Sequence, residues 1–307
     1  MRRDAGFVLI NALILVAAMS AAAVLLLSRA ESSRMRLDAA REARVLTANL
    51  DAFEALARAR LQADRSEGAL DTPRDSWAQP VAEAPLAQGT VSGGIEDMQG
   101  RFDLNRLAAP DDTEAPEVLR RLFARLALSP LQADAVQAFL SPAGPSNSAV
   151  YARLEPPVYP TGGSLVLLDQ LATLPELDAE SLDRLRPYVT VLPSGGPVNV
   201  NTAEPLLLEV LFPQVAPALI DRIAARRRTE PFASVEAFFA ALGLPIDPEI
   251  EGAVDPAGFA VSSTMFLAQG VARLEDRSAE RRTVLERRRP GFPPEIAWRV
   301  TRFEAPR

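Results

Sequence analysis

The 307-residue sequence contains no cysteine and no histidine. Without cysteine the chain can form neither disulfides nor thiolate metal sites, and it has no thiol nucleophile. Without histidine it can form neither a histidine-dependent catalytic triad nor an HExxH zinc site, and it lacks an imidazole base. The sequence also lacks a Gly-x-Ser-x-Gly elbow, a phosphate-binding loop and a dinucleotide fingerprint. We therefore predict that the protein is not an enzyme.

Basic residues are in the minority. The chain has 33 basic and 40 acidic residues, which gives a formal charge of −7. Proteins that bind nucleic acid usually have a basic surface, so this balance argues against a nucleic-acid partner. The 26 prolines indicate many short elements rather than one regular sheet.

One long apolar run is present, from Phe7 to Leu27, and it follows a short basic leader. A helix of this length covers about 30 Å, the thickness of the hydrocarbon core of a bilayer. A secretory signal peptide is the alternative, but its apolar core is only about 7–15 residues long. Arg2 and Arg3 precede the run and favour a cytoplasmic N-terminus. We predict a single-pass protein of the inner membrane with its bulk in the periplasm.

The leader resembles the class III signal of type IV pilins and type II secretion pseudopilins, because Gly6 ends the basic segment and Phe7 begins the apolar helix. The resemblance implies that a prepilin peptidase cleaves between Gly6 and Phe7 and that Phe7 is then N-methylated. Most proteins of this class have a glutamate five residues into the mature chain, where this sequence has Asn11. Among pseudopilins, the K-type minor subunit characteristically lacks this glutamate.

Two later patterns also resemble the K-type minor pseudopilins. Gly94–Leu107 reads as a strand, an aspartate, a Gln-Gly turn with a left-handed glycine, and a Phe-x-Leu-Asn-x-Leu segment. The Asn-x-Asn-Thr-Ala motif at 199–203 begins a helical stretch similar to a helix-hairpin-helix, or SAM-like, module. The resemblance implies an α+β pseudopilin fold. A long N-terminal transmembrane helix would pack on a small antiparallel sheet, and two SAM-like modules would form a large all-α insertion.

The domain limits follow from this fold. They are a leader at 1–6, a transmembrane helix at 7–28, the periplasmic helix and first head strands at 29–105, a first SAM-like module at 106–194, a second at 195–258, and closing strands at 259–307. Within the head, the sequence predicts a hairpin that turns at Gly93-Gly94. A second turn is predicted at Ser278-Ala279, between the closing strands.

The resemblance also implies a function and partners. The protein would be a minor pseudopilin at the tip of the type II secretion pseudopilus, needed to export folded proteins from the periplasm across the outer membrane. Its partners would be the I- and J-type minor pseudopilins, the major pseudopilin, the prepilin peptidase and the inner membrane.

A membrane-anchored helix-hairpin-helix DNA-binding protein is the alternative function. Such modules bind phosphate through the backbone N–H groups of a glycine-rich hairpin. Here the corresponding turn is Phe212-Pro213-Gln214, which has no glycine, and acidic residues surround the basic cluster of Arg222 and 226–228. We therefore expect no nucleic acid to bind.

Two acidic clusters are candidate calcium sites, because calcium binds clustered oxygens from carboxylates and loop carbonyls. The first contains Asp111, Asp112 and Glu114, and the second contains Asp247, Glu249, Glu251 and Asp255. Neither has the spacing of an EF-hand loop. A solvated acidic loop is the alternative for each cluster.

Overall fold

The computed structural model describes residues 4–64, 70–289 and 291–304, with side chains described from residue 13 onward. The α-helices in this part of the chain are α1 (Asp4–Asp64), α2 (Ala115–Arg125), α3 (Pro130–Leu140), α4 (Ser148–Tyr151), α5 (Ala179–Leu185), α6 (Pro205–Leu211), α7 (Pro217–Arg227) and α8 (Val235–Leu242). The strands are β1 (Val81–Pro85), β2 (Thr90–Asp97), β3 (Phe102–Asp103), β4 (Val189–Thr190), β5 (Val198–Asn199), β6 (Phe259–Ala260), β7 (Met265–Leu274), β8 (Arg277–Glu286) and β9 (Glu295–Glu304). Short 3₁₀ turns lie at Ser76–Ala78, Leu104–Ala108, Leu168–Thr173 and Pro256–Gly258.

Helix α1 is uninterrupted because its sequence contains no proline and no glycine after Gly6. Its first part is apolar and exposed: an 18-residue window has a mean hydropathy of 2.1 and none of that window is buried. By length and composition this part could cross a membrane, although a signal sequence meets the same criterion. The second part has a buried stripe at three- and four-residue spacing, formed by Leu46, Leu50, Phe53, Ala57 and Leu61. This spacing places the stripe on one helix face.

The stripe packs on a five-stranded antiparallel sheet with the strand order β1-β2-β7-β8-β9. Strands β2 and β7 pair along their whole shared length, from Thr90 opposite Arg273 to Asp97 opposite Phe266. The regular structure between these two neighbouring strands consists mainly of helices, and we call residues 98–264 the helical block. The block has its own core, a single cluster of buried apolar residues that is separate from the core under α1.

Two turns predicted from the sequence are wrong. Gly93 and Gly94 lie in the middle of β2, which continues straight through them. Gly93 is needed for packing, because a Cβ there would lie 2.6 Å from the Phe53 ring of α1. The turn between β7 and β8 lies at 275–276, where Glu275 has a φ of 54°. Ser278 and Ala279 are already paired within β8.

The contact between α1 and the sheet generates the first prediction. Gly270→Ala should lower the free energy of unfolding by about 1–3 kcal/mol, because overpacking a filled core forces side chains and backbone to shift. The added Cβ would lie 2.5 Å from a ring carbon of Phe53. Denaturant unfolding of the full chain in detergent measures the change.

Gly94→Ala is the matched control. A Cβ at Gly94 has no neighbour within 4 Å, so this variant should change the free energy of unfolding by no more than about 0.5 kcal/mol. Equal effects of the two substitutions would show that Phe53 does not pack closely on the sheet.

Candidate functional site at the junction of the sheet and the helical block

Three chain segments meet where the chain leaves and rejoins the sheet, and we call this meeting point the junction. Its centre is the buried carboxylate of Asp97, at the end of β2. One oxygen accepts hydrogen bonds from the Asn199 side-chain amide at 3.0 Å and from the Ser263 hydroxyl at 2.7 Å. The Thr202 hydroxyl also donates to this oxygen. The other oxygen accepts the backbone N–H of Gln99 at 2.8 Å. Asp97, at the end of β2, is therefore bonded to two distant parts of the helical block. One contains Asn199 and Thr202, and the other contains Ser263.

Gln99 connects the same segments through its amide. Its Oε1 accepts the backbone N–H groups of Thr264 at 2.6 Å and of Met265 at 3.1 Å. Its Nε2 donates to the carbonyl of Pro197 at 2.8 Å. A Cβ at Gly196, whose φ is +156°, would lie 2.7 Å from that Nε2. Gln99 therefore holds the start, the middle and the end of the helical block together.

The Asn-x-Asn-Thr-Ala motif is also part of the junction. The backbone N–H of Asn199 donates to the carbonyl of Gln99 at 2.9 Å. Asn201 is buried, and its side chain donates to the Phe232 carbonyl at 3.0 Å and accepts the Phe232 N–H at 2.9 Å. The motif thus links β5 both to the sheet and to the loop before α8.

A buried ion cluster lies beside Asp97 and ties the end of α1 to the junction. Arg287 is 2% exposed and donates to Asp64, the last residue of α1, at 3.1 Å. Its other terminal nitrogen donates to both oxygens of Asp71 and to the Ser263 carbonyl at 2.8 Å. Asp71 in turn accepts the backbone N–H of Ser263 at 2.6 Å. Sequence reasoning missed Asp71 and Arg287, because they are 216 positions apart and neither belongs to a recognisable motif.

Burial raises the pKa of three carboxyl groups in this region. The pKa of Asp97 is raised by burial, and the hydrogen bonds that it accepts only partly oppose this effect. Burial, with the nearby charges of Asp75 and Asp71, raises the pKa of Asp64 to about 6 despite the opposing effect of Arg287. Burial raises the pKa of Asp103 to about 6, although the N–H groups of Leu192 and Asn105 donate to its carboxylate.

Among the described residues, one group of three carboxylates has its ligand oxygens within 4.8 Å of one another, and it consists of Asp64, Asp71 and Asp75. Arg287 already occupies the space between two of these carboxylates. One guanidinium therefore offsets part of the negative charge of this group, and the group differs from both calcium sites suggested by the sequence.

The first predicted calcium cluster contains an ion pair within the chain. Asp112 accepts hydrogen bonds from Arg106 at 2.7 Å and from the Ala115 backbone N–H at 2.9 Å. Burial acts to raise the pKa of Asp112, but these hydrogen bonds outweigh it and lower the pKa. Glu114 lies 3.6 Å from the same arginine, and Asp111 is exposed.

The second predicted cluster forms local turns. Asp247 accepts the N–H of Glu249 at 3.0 Å, and Asp255 accepts the N–H of Ala257 at 2.9 Å. Glu251 is exposed. Asp255 and Glu114, one residue from each cluster, line the same cleft of about 580 Å³. Calcium binding at either cluster stays a prediction.

Two arginines of the basic cluster that was considered for DNA binding form contacts within the chain. Arg227 donates to the carbonyls of Val200 and Ala203, and burial lowers its pKa to about 10. Arg226 pairs with Glu230 at 3.1 Å. Two of the arginines that could contact phosphate are therefore already engaged.

The processing and assembly residues cannot be placed in a site. Gly6, Phe7 and Asn11 fall within the backbone of α1, but their side chains lie outside the described residues. Cleavage after Gly6, methylation of Phe7 and the assembly role of Asn11 stay predictions.

The chain is similar to one family of known proteins. Models of the family "Type II secretion system (T2SS), protein K" match residues 100–194 and 198–262. The type II secretion system protein K of Klebsiella pneumoniae is 30% identical, over 90% of this chain and 92% of that protein. The protein of the same name from Aeromonas hydrophila is 27% identical, over 69% of this chain and 71% of that protein.

A solved structure has the same fold. A chain of the GspK-GspI-GspJ complex from the type 2 secretion system of enterotoxigenic Escherichia coli matches with a TM-score of 0.71 and 21% identity, over 87% of this chain and 99% of that chain. The predicted fold class is confirmed: a long N-terminal helix, an antiparallel sheet and a large helical insertion. The SAM-like character of the two modules stays a prediction.

The amide of Gln99 generates the second prediction. Gln99→Ala should lower the free energy of unfolding by about 2–4 kcal/mol, because it leaves one buried and two partly buried backbone groups without hydrogen-bond partners. The groups affected are the N–H of Met265, the N–H of Thr264 and the carbonyl of Pro197. Denaturant unfolding of the full chain measures the loss. Gln88→Ala is the control, because that side chain is exposed, and a similar loss there would contradict the assigned role of Gln99.

The raised pKa values generate the third prediction. Between the unfolded value of 3.8 and about 6, the folded chain holds protons on Asp64 and Asp103 that the unfolded chain has released. Stability falls with rising pH wherever the folded state binds more protons. The unfolding temperature of the full chain should therefore be higher at pH 5 than at pH 7.

Asp64→Asn should make this dependence on pH smaller, because it removes one of the carboxyl groups whose pKa is raised. The pKa values of Asp112 and Asp169 are lowered from 3.8. These two groups are therefore ionised in both the folded and the unfolded chain between pH 5 and pH 7, and they do not oppose the effect. A lower unfolding temperature at pH 5 than at pH 7 would contradict the assignment.

Proposed function

Because this chain belongs to the type II secretion system protein K family, we propose that it is a minor pseudopilin at the tip of a periplasmic pseudopilus. In this role the protein performs no bond chemistry. It is a mechanical part of a filament that helps to move folded proteins from the periplasm across the outer membrane.

The position of the helical block carries the proposal. The block joins the sheet at the junction, and Arg287 ties the junction to Asp64 at the end of α1 that is furthest from the apolar segment. Leu27 and Asp64 are 37 positions apart, which corresponds to about 55 Å along a helix. The block therefore joins the head beside the far end of the stem. In this position the block would hinder the addition of another subunit above it.

The proposed anchor is the apolar part of α1. A helix that ends its apolar run at Leu27 and continues to Asp64 without a break supports both a span of the inner membrane and a rigid connection to the periplasmic head. Arg2 and Arg3 would stay in the cytoplasm until a prepilin peptidase cleaves after Gly6. Asn11 would remove the need for a charged partner within the bilayer.

The proposed partners are the I- and J-type minor pseudopilins. The similar solved chain belongs to a GspK-GspI-GspJ complex, and its likeness to this chain in fold supports an assembly of the same kind. The major pseudopilin would follow below these three subunits. The acidic loops described above are the proposed calcium sites.

The fourth prediction tests processing and function together, in the bacterium that encodes this chain. In a strain that lacks this chain, the wild-type protein should restore secretion, and intact mass spectrometry of membranes should find a chain that begins with N-methylated Phe7. A Gly6→Val variant should keep the leader and fail to restore secretion, because a bulky residue would occupy the cleavage site.

Ala5→Val is the matched control, since it adds similar bulk next to the cleavage site without replacing Gly6. Normal secretion by the deletion strain would refute the function. A soluble periplasmic species that begins near Val24 would refute the retained stem.

A further inference from the structure

The part of α1 between the apolar run and the head has its charges sorted onto two sides. At 3.6 residues per turn each residue turns the helix by about 100°. On this geometry five arginines fall within an arc of about 160°; they are Arg29, Arg34, Arg36, Arg41 and Arg44. Three carboxylates fall within about 40° on another side of the helix; they are Glu31, Asp38 and Glu42. We call the first set the arginine face.

The arginine face is exposed and largely unpaired. All five arginines are exposed. Arg34 lies 3.9 Å from Asp38, with 86% of its side chain exposed. Within the described part of the chain, the side chains of the other four have no hydrogen-bond or ion-pair partner. Leu37, in the middle of the face, is 71% exposed.

The face points to one side of the head. Residues seven apart lie within about 20° of each other on a helix. Arg44 is seven positions before Asp51, which pairs with Arg281 of β8, and fourteen before Arg58, which donates to the Pro294 carbonyl next to β9. The arginine face therefore continues the β9 side of the head toward the membrane.

The length of the arginine face distinguishes between two candidate partners, the headgroups of a bilayer and a helix of another protein. The headgroup layer of a bilayer is about 5–8 Å thick on each side. Arg41 and Arg44 are 14 and 17 positions beyond Leu27, which corresponds to about 21–25 Å. These two side chains lie too far out to reach lipid phosphates. A parallel helix with carboxylates along one side could contact the whole face.

We propose that the arginine face is a docking surface for the helical stem of a neighbouring subunit that carries carboxylates along its facing side. This inference rests on the proposed function, because a filament supplies stems that run in parallel. The arginine face would then determine the side of this chain on which the neighbouring subunit packs.

Cysteine cross-linking is the test, because the chain has no cysteine of its own. Leu37→Cys places a single thiol in the arginine face, and Met35→Cys is the control, since Met35 is 65% exposed and lies on another side of the helix. Each full-length variant is expressed in membranes with the I- and J-type pseudopilins of the same organism. Those subunits carry single cysteines at the matching depth of their stems, and a bismaleimide is added.

Leu37→Cys should cross-link to one neighbouring stem with high yield, and Met35→Cys should not. Adding Arg36→Glu and Arg44→Glu should lower the yield about fivefold to tenfold, because two attractive contacts become repulsive. Exchanging the facing carboxylates of the neighbour for arginine should restore the yield. Glu31→Arg, on the other side of the helix, should leave the yield unchanged.

Four results would overturn the inference. Cross-linking through Met35→Cys instead of Leu37→Cys would place the neighbour on the opposite side. If the cross-linking yield did not change with the charge reversals but fell when anionic lipid was depleted, the arginines would bind headgroup phosphate instead. Copurification of the three subunits with no cross-link at Leu37→Cys would leave the proposed function intact and refute the arginine face alone. Failure of the subunits to copurify would refute the proposed function as well.

Discussion

The buried carboxylate of Asp97 is the interaction on which the arrangement of this protein depends. A charged or polar group that leaves water must be hydrogen-bonded, or it destabilises the fold. The donors to Asp97 come from chain positions that are far apart, and they include the side chains of Asn199 and Ser263. The carboxylate is therefore satisfied only when the helical block and the sheet are both in place.

Directional contacts, more than apolar burial, fix the helical block on the sheet. The two large apolar cores are separate, and among the described residues a small third cluster, which includes Met98 of the block and Leu267 and Val284 of the sheet, lies between the block and the sheet. Ion pairs add to the junction on the outer sheet face, where Asp169 lies 3.3 Å from Arg282 of β8 and 3.2 Å from Arg302 of β9. Hydrogen bonds and ion pairs depend on geometry, so these contacts favour one orientation of the block.

The sequence predicted the elements that depend on local pattern. The long N-terminal helix was predicted, and α1 is continuous because it contains no proline. Positions that depend on distant neighbours were misread. Gly93 looked like part of a turn because its role, leaving room for Phe53, is invisible in local sequence. Gly100 has no positive φ; a Cβ there would lie 2.8 Å from the Thr202 hydroxyl.

The candidate site was predictable only in part for the same reason. Asp97, Gln99 and Asn199 stand in motifs, but the pairing of those motifs with each other and with Arg287 requires the folded chain.

The charges of this chain divide into two groups with different consequences. Buried arginines such as Arg287 are paired inside the fold, where removal of one partner would leave an uncompensated charge and destabilise the protein. Exposed arginines on the stem, such as Arg36 and Arg44, contribute little to the stability of the chain, since even paired surface charges are worth only about 0–1 kcal/mol. Folding of this chain alone therefore does not account for five arginines on one side of α1. Their ordered placement is better explained by association with another molecule.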